Sequence, residues 1–206
     1  MADRETRAKL ARAAVRLNAR SHSAGRLPPL VLMTDDARLP DPAGAARALP
    51  RGSLVILRAR ENGRRAALAR ELAPIAHERD LFLLIAGDPA LAARVGADGL
   101  HLPEARAAEA AHWRALHPNW LITAAAHSAH AIRRARNARA DAVLLSPVFA
   151  TPSHVGAEPL GALRLRLLAR DAGLPIYALG GIDARTALAL GGANVAGIAA
   201  IGALSV

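Results

Sequence analysis

The stretch AVLLSPVFATPSHVGAEPLG (residues 142–161) begins as an unbroken apolar run and then opens into a polar loop. The run AVLLSPVF has the composition of a parallel strand that is buried on both faces. The loop contains threonine, proline, serine and histidine, and it closes on PLG before a helical pattern begins. The stretch therefore predicts a buried strand, a long polar loop and a helix, in that order.

Seven further apolar runs repeat this unit along the chain. Amphipathic segments such as GRRAALARELAPIAHER lie between them, and glycine and aspartate mark many of their ends. Eight buried strands that alternate with helices in 206 residues predict a compact α/β fold, the (β/α)8 or TIM barrel. The predicted strands are 30–35, 54–60, 81–87, 98–102, 121–128, 142–149, 176–182 and 194–203.

The two ends of the chain depart from a regular barrel. A helical pattern at about 3–20 precedes the first strand, and no eighth helix follows the last one. We therefore predict an N-terminal helical extension (1–22) and a single barrel domain (23–206). The apolar stripe Leu10, Ala14 and Leu17 suggests the hypothesis that this helix fills the place of the missing eighth one.

Composition excludes several functions. The chain has no cysteine and a single lysine, Lys9, which lies outside every motif, so thiolate sites, Schiff-base chemistry and a lysine-dependent phosphate loop are not expected. The arginines behind the net charge of +10 are scattered over helical patterns, and five aromatic residues offer no stacking platform, so nucleic-acid binding is not predicted. No apolar run predicts a membrane span or a secretory signal, which predicts a cytoplasmic protein.

In such a barrel the functional residues lie at the carboxyl ends of the strands. Glycines after the seventh and eighth strands allow backbone N–H groups to approach an anion, so we predict that Gly180, Gly181, Ile201 and Gly202 bind phosphate. His127 ends the fifth strand and is a candidate proton shuttle, although a structural role at the start of a helix is the alternative. Arg58 and Arg60 are candidates for binding a phosphate or carboxylate, with a surface ion pair as the alternative.

The motifs VGADGLHL, AHS, SPVFATPS…PLG, PIYALGGI and GANVAGIAAIGAL resemble, in order and spacing, the thiamine phosphate synthase/TenI family over residues 29–204. That family has two activities. The synthase joins a pyrimidine methyl diphosphate to thiazole phosphate and uses Mg²⁺, whereas TenI-type proteins isomerise thiazole carboxylate phosphate by proton transfer without a metal. The resemblance implies a heterocyclic phosphate as ligand and allows a homodimer. It also implies substrate contacts from the sixth loop, at Ser146, Thr151, Ser153 and His154.

Departures from the synthase pattern favour the isomerase. Arg106 stands at the position of one metal-binding acid, and Asp88 is the best remaining carboxylate near the other. Asn62 and His154 stand where synthases carry lysines. One carboxylate makes a poor Mg²⁺–pyrophosphate site, so we predict a TenI-like isomerase without a cofactor. The alternatives are a divergent, Mg²⁺-dependent synthase and a non-catalytic sensor of a phosphate ligand.

Overall fold

The computed structural model describes residues 3–151 and 158–206. Its strands close into one parallel barrel in chain order, and β8 pairs back onto β1. All eight predicted strands are confirmed, although most end earlier than the apolar runs because the last residues of each run already belong to the loops. The strands are β1 (Leu30–Met33), β2 (Leu54–Leu57), β3 (Phe82–Ala86), β4 (Gly99–Leu102), β5 (Leu121–Ala126), β6 (Ala142–Leu145), β7 (Ile176–Leu179) and β8 (Gly197–Ala200).

Helices cover the outside of the barrel. The α-helices are α1 (Arg4–Ala19), α2 (Pro42–Arg47), α3 (Asn62–Arg79), α4 (Pro89–Arg94), α5 (Ala110–Leu116), α6 (Ala129–Asn137) and α7 (Gly161–Asp171). Short 3-10 segments occur after β4, β7 and β8, at Glu104–Glu109, Thr186–Leu190 and Gly202–Leu204. The link from β7 to β8 therefore contains a 3-10 turn in place of a regular helix. Among the described residues, none of the helices combines the length and apolar character needed to cross a bilayer.

Helix α1 lies against β1 and β8, beside the 3-10 segments that follow β7 and β8. Asp3 caps its first turn by accepting a hydrogen bond from the Thr6 N–H at 2.7 Å. The predicted stripe is buried, and the Asn18 amide donates to the Ala196 carbonyl at 2.6 Å. The helix thus covers the β8–β1 junction, and its replacement of an eighth barrel helix stays a hypothesis.

The interior of the barrel is a cluster separate from the layer between strands and helices. Its largest member is Tyr177, which is fully buried and donates a hydrogen bond to the Pro28 carbonyl at 2.7 Å. Burial raises the pKa of the Tyr177 phenol well above its usual value, so the ring remains neutral. Since Pro28 lies just before β1, Tyr177 fills the amino end of the barrel, and polar residues accumulate at the other end.

Candidate active site

Five inward positions define the mouth of the barrel. Leu144 of β6 belongs to the interior cluster, and Ala86 of β3 packs against it. Ala86 pairs in register with His101 of β4, and Leu144 pairs with Ala125 of β5. Since residues in register on neighbouring strands point to the same face, His101 and Ala125 also face the barrel axis. Ser146 follows Leu144 by two residues and lies on the same side.

His101 is one of the buried polar residues of the mouth. The side chain is 5% exposed, and Nδ1 lies 2.9 Å from the Thr123 hydroxyl on β5. Burial and, to a smaller extent, the charge of Arg58 lower the pKa of His101 to about 4. The imidazole is therefore neutral at pH 7, and it presents a hydrogen-bonding group without a charge.

His127 follows β5 directly and is oriented by a carboxylate from the neighbouring loop. Its Nδ1 lies 2.6 Å from Oε2 of Glu104, and the same oxygen accepts the His127 backbone N–H at 2.8 Å. Glu104 begins the 3-10 segment after β4, and Arg134 of α6 donates to its carbonyl. The next residue, Ser128, has a structural role, because its hydroxyl caps α6 by accepting the Ala131 N–H at 3.1 Å.

The two predicted arginines lie on the rim after β2. Arg58 forms an ion pair with Asp35, which also binds Arg38 at 2.8 Å. The hydrogen bond from Arg38 holds the pKa of the Asp35 carboxyl far below its usual value. The backbone N–H of Arg60 donates to Asp36 at 2.9 Å, and its side chain is exposed. The surface-pair alternative thus applies to Arg58, which shares the Asp35 carboxylate with Arg38, while the Arg60 side chain is exposed.

Gly180 and Gly181 bring the loops after β6 and β7 into close contact. Both have positive φ angles, +96° and +63°. A Cβ on Gly181 would lie 2.4 Å from the Ala150 carbonyl oxygen, and one on Gly180 would lie 2.9 Å from the Pro147 Cα. Backbone conformation and loop packing therefore both require glycine at these positions.

Gly202 differs sterically from this pair. A Cβ at Gly202 would meet no described atom within 4 Å, so the residue faces open space at the end of β8. In the described part of the chain, the N–H groups of Gly181 and Gly202 donate no backbone hydrogen bond. Ile201, half-buried before Gly202, packs on the interior cluster. This end of the mouth thus offers backbone donors, although phosphate binding itself stays a prediction.

The four residues of the sixth loop that were predicted to contact substrate fall into two groups. Ser146 is 5% exposed and lies in the mouth, and Thr151 is half-buried at the last described position of the loop. Ser153 and His154 lie outside the described residues, so their predicted substrate contacts are not tested.

Residues near the expected metal position do not fit a Mg²⁺ site. Asp88 caps α4 by accepting the Leu91 N–H at 2.9 Å, and its other oxygen lies 3.7 Å from Arg65. Arg106 donates to the Gly87 carbonyl at 2.8 Å and binds both oxygens of Glu109. Within residues 3–151 and 158–206, no three acidic or histidine side chains form a metal-binding group. Asp88 is a single carboxylate that already caps a helix and lies between guanidinium groups, and such a carboxylate is a poor donor set for a divalent cation.

Eight parallel strands closed in chain order, with glycines and polar side chains gathered at their carboxyl ends, define a (β/α)8-barrel protein with its candidate site in the mouth. The chain belongs to the thiamine monophosphate synthase (TMP-TENI) family, whose model matches residues 30–204. The predicted family is therefore confirmed.

Individual relatives carry the synthase name. The chain is 34% identical to a thiamine-phosphate synthase of Methylobacillus flagellatus, over 83% of this chain and 82% of that one. It is 30% identical to the Alcanivorax borkumensis thiamine-phosphate synthase, over 87% and 86% of the two chains. A solved thiamine phosphate pyrophosphorylase from Pyrococcus furiosus superposes with a TM-score of 0.68 at 25% identity, covering 84% of each chain.

Coverage is shorter for two other relatives. The chain spans 61% of a similar protein from Aquifex aeolicus and 26% of a bifunctional thiamine biosynthesis protein from Symbiobacterium thermophilum. By their names, the relatives support the predicted synthase alternative better than the predicted isomerase. The comparisons therefore establish the family but not which of its two reactions this chain catalyses.

Proposed function

We propose that the protein binds a thiazole phosphate in the mouth of the barrel and isomerises thiazole carboxylate phosphate to its aromatic form. The observation that carries this proposal is the contact between His127 and Glu104. An imidazole held by a carboxylate through Nδ1 is fixed in orientation and stabilised when it takes up a proton. That arrangement suits a reaction whose only bond changes are proton transfers at carbon.

In this proposal each part of the mouth has one task. The N–H groups of Gly181 and Gly202 donate hydrogen bonds to the phosphate oxygens. The guanidinium of Arg60 binds the carboxylate of the substrate. The Nε2 atom of His127 takes a proton from one carbon of the non-aromatic ring and returns it to another, while Glu104 holds Nδ1. Product and substrate then differ only in the position of a proton, so no second substrate is needed.

The test compares variants of the His–Glu pair with thiazole carboxylate phosphate as substrate. In His127→Ala we expect kcat to fall by about 10²- to 10⁴-fold, the usual contribution of a general acid–base. Glu104→Gln keeps the shape of the side chain but removes its charge, so kcat should fall about tenfold with KM unchanged. Glu71→Gln on the exposed face of α3 is the matched control and should keep wild-type rates.

Full activity in His127→Ala would refute the assigned role of the histidine. A fall in kcat/KM of Glu104→Gln that came entirely from KM would show that Glu104 contacts substrate instead of positioning the imidazole.

The second candidate is the synthase reaction, which the names of the relatives favour. This alternative requires the protein to release pyrophosphate from a pyrimidine methyl diphosphate in the presence of thiazole phosphate. Pyrophosphate release that depends on Mg²⁺ and stops with a chelator would establish it. Binding of thiazole phosphate without either turnover would instead support the predicted sensor.

A further inference from the structure

Three neighbouring elements on the outside of the barrel carry most of the exposed apolar side chains. The 3-10 segment Thr186–Leu190 contacts both α1 and α7. Within the described part of the chain six large apolar side chains are exposed, and four of them lie on these three elements. They are Val15, Leu163, Leu167 and Leu188, each between 48% and 71% exposed. Single exposed leucines are common, but a group of four on adjoining elements marks an interaction surface.

The leucines of α7 and of the 3-10 segment belong to one surface. Leu163 and Leu167 are four residues apart, so they share one face of α7, opposite its buried residues. Arg166 of the same helix donates to the Ala189 carbonyl at 3.2 Å, next to Leu188. This hydrogen bond ties α7 to the 3-10 segment and keeps the two sets of leucines side by side.

The same elements carry most of the positive charge. Together α1, the 3-10 segment and α7 contain eight arginine or lysine residues and two acidic residues, which gives +6 of the net charge of +10. The two acidic residues, Glu5 and Asp171, are each paired with a cation of their own helix. Arg12, Arg16 and Arg164 are exposed, and among the described residues they form no ion pair. Arginines that are scattered along the sequence are thus gathered on one face.

We propose that this basic face, formed by the exposed residues of α1, Thr186–Leu190 and α7, binds the surface of an anionic lipid bilayer. The leucines enter the head-group region, where they are removed from water, and the arginines contact the lipid phosphates. The helices lie along the surface and do not cross it. None of these residues belongs to the proposed catalytic machinery in the mouth.

Other partners would satisfy only part of the basic face. A nucleic acid would pair with the arginines but leave the leucines in water, and the five aromatic residues of the chain offer no stacking platform for bases. A second copy of the chain would bury the leucines, but a two-fold contact would bring the same cations of both copies together. An anionic bilayer supplies negative charge and an apolar interior at once, and it needs no pocket on the protein.

The experiment measures sedimentation of the protein with lipid vesicles. Vesicles of phosphatidylglycerol and phosphatidylcholine in equal parts should bind the wild type, whereas vesicles of phosphatidylcholine alone should not. Raising the salt from about 0.1 M to about 1 M shortens the Debye length from about 10 Å to about 3 Å, so it should release most of the protein.

Two double variants separate the apolar contribution from the charged one. In Leu163→Ser/Leu167→Ser we expect the affinity for anionic vesicles to fall about tenfold or more, because the leucines no longer leave water on binding. In Arg12→Gln/Arg16→Gln we expect a similar fall, since each cation near an anionic surface contributes roughly a fivefold factor.

The matched control is Leu116→Ser/Arg94→Gln, which makes the same changes at exposed residues of α5 and α4 and should bind like the wild type. Circular dichroism checks that each variant is folded, as expected for exposed positions. If Leu163→Ser/Leu167→Ser does not fold, Arg12→Gln/Arg16→Gln decides the matter against the same control.

Three results would overturn the proposal. The first is no binding to anionic vesicles, or equal binding to both kinds of vesicle. The second is full binding by folded Leu163→Ser/Leu167→Ser, because any polyanion, including a nucleic acid, would then suffice. The third is a wild-type dimer, measured by light scattering, that ignores vesicles and becomes a monomer in this variant, because the basic face would then join two copies of the chain.

Discussion

The two sides of the barrel mouth are built by different means. On the β7–β8 side, Gly180, Gly181 and Gly202 shape the surface through the backbone. On the β1–β4 side, arginines form ion pairs with carboxylates. These pairs are Arg58–Asp35, Arg64–Asp36, Arg65–Asp88 and Arg106–Glu109. A site made of backbone changes only when its steric requirements change, whereas a site made of side chains can change its charge while the fold stays the same.

The largest effect that would test this contrast is expected from two alanine substitutions on the backbone side. Gly181→Ala places a Cβ 2.4 Å from a carbonyl oxygen at a positive φ, so the free energy of unfolding should fall by about 4 kcal/mol. Gly202→Ala meets no described atom, so stability should stay within about 0.5 kcal/mol of the wild type. Urea unfolding measures both values.

Phosphate binding separates the two glycines further. The methyl group of Gly202→Ala would point into the space proposed for the phosphate, so the affinity for inorganic phosphate should fall even though the fold is intact. Equal loss of stability in both variants would contradict the view that Gly202 faces an open site while Gly181 packs against the loop after β6.

A somewhat smaller effect on the free energy of unfolding is expected from the titration of His101, which is buried on the β1–β4 side of the mouth. Above pH 6.5, its ordinary pKa, the ring is neutral in folded and unfolded chains. As the pH falls, the unfolded chain takes up a proton that the folded chain excludes until about pH 4, so about 3 kcal/mol of stability is lost in this interval. Below about pH 4 both states are protonated and this contribution no longer changes.

Unfolding in urea at pH 7 and pH 4.5 measures this loss. His101→Gln cannot titrate and should lose less stability between the two pH values than the wild type. An equal loss in the two proteins would show that the folded chain does not exclude a proton from His101 in this pH interval.

The fold could be predicted from sequence because its signal is local and repeated. Each strand of a parallel barrel is buried on both faces, so each appears as an apolar run such as LVLMTD or LFLLIAG. The apolar stripe of α1 predicted the face of the helix that is buried against β1 and β8. The β7–β8 link was less predictable, because a helical-looking segment formed only a 3-10 turn there.

The candidate site was only partly predictable, since its contacts join residues from different strands. His127 was chosen by its place after β5, but its partner Glu104 lies 23 positions earlier and is recognised only when β4 and β5 are neighbours. His101 carried a signal, because it is a polar residue near the end of a buried strand, yet its burial and its bond to Thr123 depend on the register. The tight packing of Gly180 and Gly181 likewise depends on the loop after β6.

The smallest effect concerns the most connected carboxylate of the charged side. Asp35 accepts hydrogen bonds from the backbone and side chain of Arg38 and forms an ion pair with Arg58. Asp35→Asn keeps an acceptor for the backbone but removes the charge, so the free energy of unfolding at pH 7 should fall by about 1–2 kcal/mol. Asp171→Asn, in an exposed pair with Arg170, is the matched control and should have no measurable effect.

The pH dependence of this effect has a defined sign. Hydrogen bonding to Arg38 lowers the pKa of Asp35 below its ordinary 3.8, so its stabilisation is complete above that value and disappears as the pH falls below it. The difference between the wild type and Asp35→Asn should therefore shrink in acid. If Asp35→Asn also binds inorganic phosphate more tightly, then Asp35 offsets the charge of Arg58 in the wild type and so weakens its attraction for phosphate. If its affinity is unchanged, Arg58 is only a structural link between β1 and β2, and phosphate binding depends on the backbone side alone.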